Sequence, residues 1–324
     1  MLLKRVKIIA EAGVNHNGSI IYAKKLIDKA KLCGADYIKF QTFDPDLITT
    51  SDSEIAPYQK KILPNIKKQK EMLSNLSLSI GQFIELAKYC KKKKIKFLSS
   101  AFDIPSIFFL NNKIGIDFFK IPSGEINNTP YLETIGKLKK KVLLSTGMSS
   151  LKEIQNAKKI LQKNGTKPNN IIIMHCVSDY PTKIKDLNLK FINTIKKISK
   201  NVGFSDHTPG FEASIAAVAL GAEFIEKHFT LNKKMKGPDH AISLDIHELG
   251  IFVKKIRITE ELLGKNIKVI TKGEKILKKY ARKSIVTLKT IKKGDIFTKF
   301  NLTTKRPGDG LNPIYWNKIL GLKA

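Results

Sequence analysis

A chain of 324 residues exceeds what one hydrophobic core usually supports, so one large domain with a small appendage is expected. Its formal charge of +31 would suit a nucleic-acid or membrane surface, yet only Arg5, Arg257, Arg282 and Arg306 are arginines, and the lysines are scattered through an Ile- and Asn-rich chain. Nucleic-acid surfaces favour the forked guanidinium and interleaved aromatics, and no apolar run approaches the roughly 20 residues that span a bilayer, so neither partner is expected.

The N-terminal stretch MLLKRVKIIAEAGVNHNG lacks the long apolar core and cleavage site of a signal peptide; it reads as a first strand, and the expected location is the cytoplasm. The three cysteines Cys33, Cys90 and Cys176 have no metal-site spacing and are expected to be reduced thiols without a catalytic role.

Eight β-rich runs follow one another, at 6–13, 37–43, 96–102, 118–124, 142–147, 171–177, 202–208 and 224–230. Amphipathic helical stretches separate them, among them SLKEIQNAKKILQKNG with a capping box at Ser150 and Glu153. Eight alternating strand–helix units predict a (β/α)8 TIM barrel over residues 1–263, with a doubly wound sheet as the alternative. The basic stretch 264–281 reads as a linker, and 282–324 as a small β-rich module with turns at Lys293-Gly294-Asp295 and Arg306-Pro307-Gly308.

In such a barrel the reactive groups stand at the C-terminal strand ends, where eight loops converge. Those ends carry Glu11, Asn15 and His16, then Lys39 and Gln41, Ser100, Lys120 with Ser123 and Glu125, Ser145, Ser178 and Tyr180, Ser205 with His207, and His228. Lys39 and Lys120 lie inside apolar strands, where a buried ammonium needs a counter-charge. An anionic ligand would supply it; a neighbouring carboxylate such as Glu11 or Glu125 is the alternative. His207 and His228 end consecutive strands and suit a divalent ion whose other positions are filled by water. His175 and His247 read as structural.

The motifs EAGVNHNGS, IKFQTF, SSAFD, KIPSGE, LLSTGM, HCVSDYPT, GFSDHT, EKHFT, GPDH, ARKS and KRPGDG, in that order, resemble the sialic acid synthase family, which includes N-acetylneuraminate and legionaminic acid synthases. The resemblance implies a barrel followed by an antifreeze-like (SAF) domain. It implies that phosphoenolpyruvate condenses with an N-acetylated amino sugar and water, releasing phosphate. N-acetylmannosamine is the first acceptor it suggests, and the 2,4-diacetamido-trideoxy sugar that leads to legionaminate is the alternative; KIPSGE argues against the pseudaminate branch.

By the same resemblance His207 and His228 hold the metal, Mn2+ first, with Mg2+ or Co2+ as alternatives. Phosphoenolpyruvate contacts fall on Lys39, Lys120, Ser123, Ser145 and Ser205, and on Ser100 and Ser178, where Thr and Asn are frequent. Sugar contacts fall on Gln41, Glu125, Tyr180 and Asp239, and on Arg306, which implies a homodimer with exchanged SAF domains. Glu125 is the favoured proton-transfer group and Glu11 the second. Family members continue past KILGLKA, so the small module is expected to be incomplete. Two rival readings stand beside this one: Lys120 as a Schiff-base lysine of an aldolase, and a non-enzymatic surface-binding protein.

Overall fold

The structure, a computed structural model, describes residues 5–324. The chain divides between Gly264 and Lys265 into two compact units. In the first, β1 (Lys7–Gly13), β2 (Tyr37–Thr42), β3 (Lys96–Ala101), β4 (Phe118–Ile121), β5 (Lys141–Ser145), β6 (Ile171–Cys176), β7 (Val202–Asp206) and β8 (Phe224–His228) form a closed parallel barrel in sequence order. The expected TIM barrel is therefore the observed one, and each strand lies within the run expected for it or extends it by one residue.

Alternation along the strands sorts the side chains. Outward residues such as Ile8, Ile38, Phe119, Leu144, Ile173 and Ile225 pack beneath the helices in the main apolar core. Inward residues fill the barrel: Ile9, Tyr37, Leu98, Phe118, Leu143, Ile172, Met174 and Phe224 form a closed apolar plug. Two residues further along the same face, the chemistry changes. Ile9 is followed by Glu11, Tyr37 by Lys39, Leu98 by Ser100, Phe118 by Lys120, Leu143 by Ser145 and Phe224 by Glu226. A polar layer thus rests on an apolar floor at the C-terminal mouth.

Side chains stop and start the helices. Ser150 and Glu153 form the expected capping box on Leu151–Lys163, and Asp245 and Glu248 form another on Ile246–Leu263. Between β2 and β3 the chain makes three short helices, Pro45–Ile48, Pro57–Ile62 and Gln69–Leu76, over a satellite cluster of Val14, Phe43, Ile55, Met72 and Leu76.

The second unit contains an antiparallel pair, β9 (Ser284–Thr287) and β10 (Leu302–Lys305), with only short helical turns after it. The stretch read as a linker is ordered differently from that expectation: Lys272–Ala281 is a helix, started by a reciprocal cap between Thr271 and Glu274. Its lysine-rich composition hid a short apolar stripe of Ile276, Leu277 and Tyr280, all exposed in the single chain.

Candidate active site

A cavity of about 640 Å³ opens at the C-terminal mouth of the barrel. Its lining includes Glu11, Lys39, Gln41, Ser100, Lys120, Ser123, Ser145, Ser178, Tyr180, Ser205, His207 and His228, twelve of the residues singled out by the sequence. Register brings them together: Glu11 lies beside both Lys39 and His228, Ser100 beside Gln41 and Lys120, and Ser205 beside Glu226. At Gly13 the first strand bulges with φ +52°, and a Cβ there would stand 3.3 Å from Glu11 Oε1. The glycine lets the chain turn without crowding that carboxylate.

The two buried lysines are held by carboxylates. Lys39 Nζ lies 2.8 Å from Glu11 Oε2 and 3.7 Å from Glu226 Oε2, and Lys120 Nζ lies 3.3 Å from Glu226 Oε1. Lys39 also donates to Ser100 Oγ at 3.2 Å, and Ser205 donates to Glu226 Oε1 at 2.9 Å. Of the two carboxylates proposed as partners, Glu11 is one; the other is Glu226 and not Glu125. Glu226 is the residue that sequence reasoning missed. Its signal was parity, because it precedes His228 by two and must share its inward face, as Ser205 shares that of His207.

The two acids differ in proton affinity. Burial raises Glu11 to about 7 despite the Lys39 ammonium, with the Glu226 charge adding to the rise. Burial also opposes ionisation of Glu226, but Lys120, Lys39 and the Ser205 hydroxyl overcome it and hold that carboxyl at about 2. Glu226 is thus the fixed counter-charge, whereas Glu11 exchanges its proton near neutrality.

His207 and His228 have ring centroids 5.6 Å apart, and Tyr180 packs on His207 at 4.3 Å. His207 Nδ1 donates to the Val177 carbonyl at 2.7 Å, which leaves Nε2 as the nitrogen available to a ligand. His228 Nδ1 is buried with no hydrogen-bond partner, and burial, His207 and Lys39 keep the ring neutral. Burial opposes protonation of His207 as well, but Cys176, the Val177 carbonyl and Glu226 outweigh it and raise that ring above its ordinary value, so an ion binding there would displace a proton. With that proton gone the pair presents two unused ring nitrogens, which fit a divalent ion. Among the described residues no group of three or more His, Cys, Asp or Glu stands at metal-binding spacing, so the pair would need water or substrate to complete the coordination. Ser145 Oγ is likewise buried without a partner, as a donor kept for a ligand would be.

Other expected residues fall elsewhere. Glu125 ends the turn Ser123–Glu125 outside the lining, accepts from Asn128 Nδ2 at 2.6 Å, and is raised above its ordinary value by burial. Asp239 is buried and does not line the cavity; desolvation lifts it to about 6 although His207 and Lys39 pull it down. Asn15 and His16 do not line the cavity. Asn15 Nδ2 ties β1 to the chain after β8 through Phe229 O and Ser243 Oγ, both at 2.9 Å. Cys176, expected to be idle, lines the cavity beside Ser123 and His207 because it shares the inward face of Met174. His175 faces outward between Phe191 and Phe204 and is structural. Arg306 lies in the second unit.

Comparisons with known proteins bear directly on this arrangement, since the profile of the NeuB family matches residues 26–268 and that of the SAF domain matches 282–324. The chain belongs to the NeuB family. It is 47% identical over 320 residues to the N,N'-diacetyllegionaminic acid synthase of Campylobacter jejuni, covering 98% of this chain and 96% of that one. The human N-acetylneuraminate-9-phosphate synthase is 35% identical, over 92% of this chain and 82% of its own. The crystal structure of the N-acetylneuraminic acid synthetase of Leptospira borgpetersenii superposes with a TM-score of 0.72 at 32% identity, covering 84% of this chain and 90% of that one. As a NeuB-family member the chain is an enzyme, a transferase that forms a carbon–carbon bond, which removes the non-enzymatic reading. No helix among the described residues is long and apolar enough to cross a membrane.

Proposed function

We propose that this enzyme condenses phosphoenolpyruvate with the open-chain form of an N-acetylated amino sugar. C3 of the enol bonds to the aldehyde carbon, water adds at C2, and phosphate leaves by C–O cleavage, giving a nine-carbon keto acid. The observation that carries the reading is the pairing of Lys39 and Lys120 with Glu226 in the barrel mouth, among a ring of serines and beside the two histidines. For the acceptor we favour 2,4-diacetamido-2,4,6-trideoxymannose, supported by the similarity to the Campylobacter enzyme over nearly both full lengths. N-acetylmannosamine is the second reading, supported by the Leptospira and human relatives.

Lys39 and Lys120 are placed to hold the phosphate and carboxylate while charge redistributes, and Ser123, Ser145 and Ser205 to orient them by hydrogen bonds. Glu11 is better placed than Glu125 to carry a proton to the new alkoxide, because it lines the cavity and exchanges near pH 7. A divalent ion held by His207 and His228, Mn2+ in this reading, would polarise the aldehyde oxygen when bound. The apolar residues Ile276, Leu277 and Tyr280, exposed in one chain, support a homodimer.

A phosphate-release assay with phosphoenolpyruvate, Mn2+ and each sugar in turn tests the reaction. Release that requires both substrates, with a product of the nonulosonate mass, is the expected result; no release with either sugar would overturn it. His207→Ala and His228→Ala should each abolish Mn2+ binding in calorimetry while the thermal transition persists. Unchanged affinity in both variants would refute the metal assignment.

A further inference from the structure

The walls of the active cavity differ in chemistry. Each charged lining residue, namely Glu11, Lys39, Lys120, Asp179, Glu226 and the histidine pair, comes from a barrel strand or the loop leaving it. The stretch between β2 and β3 contributes only Ala56, Pro57, Gln59 and Gln69, and the loops leaving β3 and β5 add the apolar side chains of Phe102 and Met148.

That stretch is built to hold a position. Ile55 and Met72, 2% and 3% exposed, anchor it in the satellite apolar cluster. Glu54 and Lys68 form an antiparallel bridge, and Gln69 N donates to Ser53 O at 2.9 Å. Gln69 therefore begins its helix, Gln69–Leu76, from a fixed backbone with a half-buried side chain on the cavity wall. Gln59 is committed otherwise, since its Oε1 accepts from Ala56 N at 2.9 Å. Met148, in the loop leaving β5, adopts φ +58° and is 72% exposed while lining the cavity. A non-glycine residue kept in the left-handed region with an exposed apolar side chain costs stability, and such positions cluster where a ligand is gripped.

We propose that this wall selects the acceptor: the Gln69 amide hydrogen-bonds an acetamido group, and Ala56, Pro57, Phe102 and Met148 form an apolar ledge for a sugar terminus lacking a hydroxyl. The inference rests on the condensation reading above. A carboxamide donates and accepts, as an acetamido group does, so each satisfies the other. A neutral wall suits a neutral acceptor, and the anionic substrate is drawn to the opposite floor. A 6-deoxy terminus meets the ledge without stranding a polar group, whereas the terminal hydroxyl of N-acetylmannosamine loses water there and gains no partner.

The test is steady-state kinetics of the wild type, Gln69→Ala and Gln69→Leu with each sugar, varying sugar and phosphoenolpyruvate separately. Expected are a preference of the wild type for the diacetamido sugar of roughly tenfold in kcat/KM, and a rise of about five- to tenfold in its KM in both variants, the size of one lost hydrogen bond. The KM for phosphoenolpyruvate should move less than about twofold and the melting temperature should hold; Gln69→Leu preserves side-chain length and helix propensity should the alanine variant unfold. A wild type that turns over neither sugar would overturn the condensation reading and this inference with it. A wild type that turns over the diacetamido sugar, with variants whose sugar KM is unchanged or whose phosphoenolpyruvate KM rises equally, would overturn the inference alone.

Discussion

At the scale of single residues, the barrel mouth is an electrostatic compromise. Lys39 and Lys120 are accommodated in the interior because Glu226 lies against both and Glu11 against Lys39. Lys120→Ala should therefore raise the KM for phosphoenolpyruvate far more than that for the sugar, by the 2–5 kcal/mol typical of a removed buried charge contact, roughly 30-fold or more. Glu226→Gln leaves the two ammonium groups with Glu11 alone and should lower unfolding free energy by about 3–5 kcal/mol in urea titration. Wild-type stability in that variant would show that the counter-charge assignment is wrong. A second buried titratable group lies outside the cavity lining. His16 is 1% exposed, and burial, reinforced by His240, depresses it to about 4. Above the ordinary value near 6.5 the ring is neutral in both states and costs nothing. Below it the unfolded chain takes up a proton that the native ring refuses until about pH 4, so stability falls as pH drops through this window. The loss from His16 approaches about 3 kcal/mol, and His16→Asn should flatten the decline in urea midpoint between pH 7 and 4.5. Parallel slopes for wild type and variant would count against it.

At the scale of elements, alternation explains what was legible and what was not. The eight runs were readable because fully buried parallel strands are continuous apolar segments bounded by helical periods. The parity that names Glu226 and Cys176 as inward residues was also in the sequence, in FIEKH and IIIMHC. Glu226 lies one inward step below the strand end, where reactive groups are expected, so the rule that points to His228 passes over it. By contrast, nothing in the composition of 43–79 marked it as a cavity wall, since its anchoring cluster joins Val14, Phe43 and Phe102 from three separate loops. The barrel floor also restricts size. A Cβ on Gly203 in β7 would meet Met174 Cγ at 2.9 Å and the Phe224 carbonyl at 3.0 Å. Gly203→Ala should cost about 1–3 kcal/mol through overpacking of the plug, read as a lower urea midpoint with an unchanged slope. A neutral effect would mean that the floor is loosely packed.

At the scale of the whole molecule, the proposed homodimer has a decisive test. If Arg306 of one chain completes the site of the other, mixing and refolding inactive His228→Ala with inactive Arg306→Ala should restore part of the activity. One site in each mixed dimer would then combine an intact barrel with an intact arginine. No recovery from a mixture shown by native mass spectrometry to contain mixed dimers would exclude a shared site. The sequence by itself determined the barrel, the order of its strands and nearly every polar residue in its mouth, because these follow from local periodicity and from motifs within single strand–loop units. Only the tertiary structure decided which charges face one another. Glu11 and Glu226 are separated by most of the barrel sequence and meet at Lys39 only because β1 closes against β8. Closure is a property of the whole sheet, so the counter-ion of each lysine and the neutral wall opposite them arise from packing between distant segments, which local periodicity does not encode.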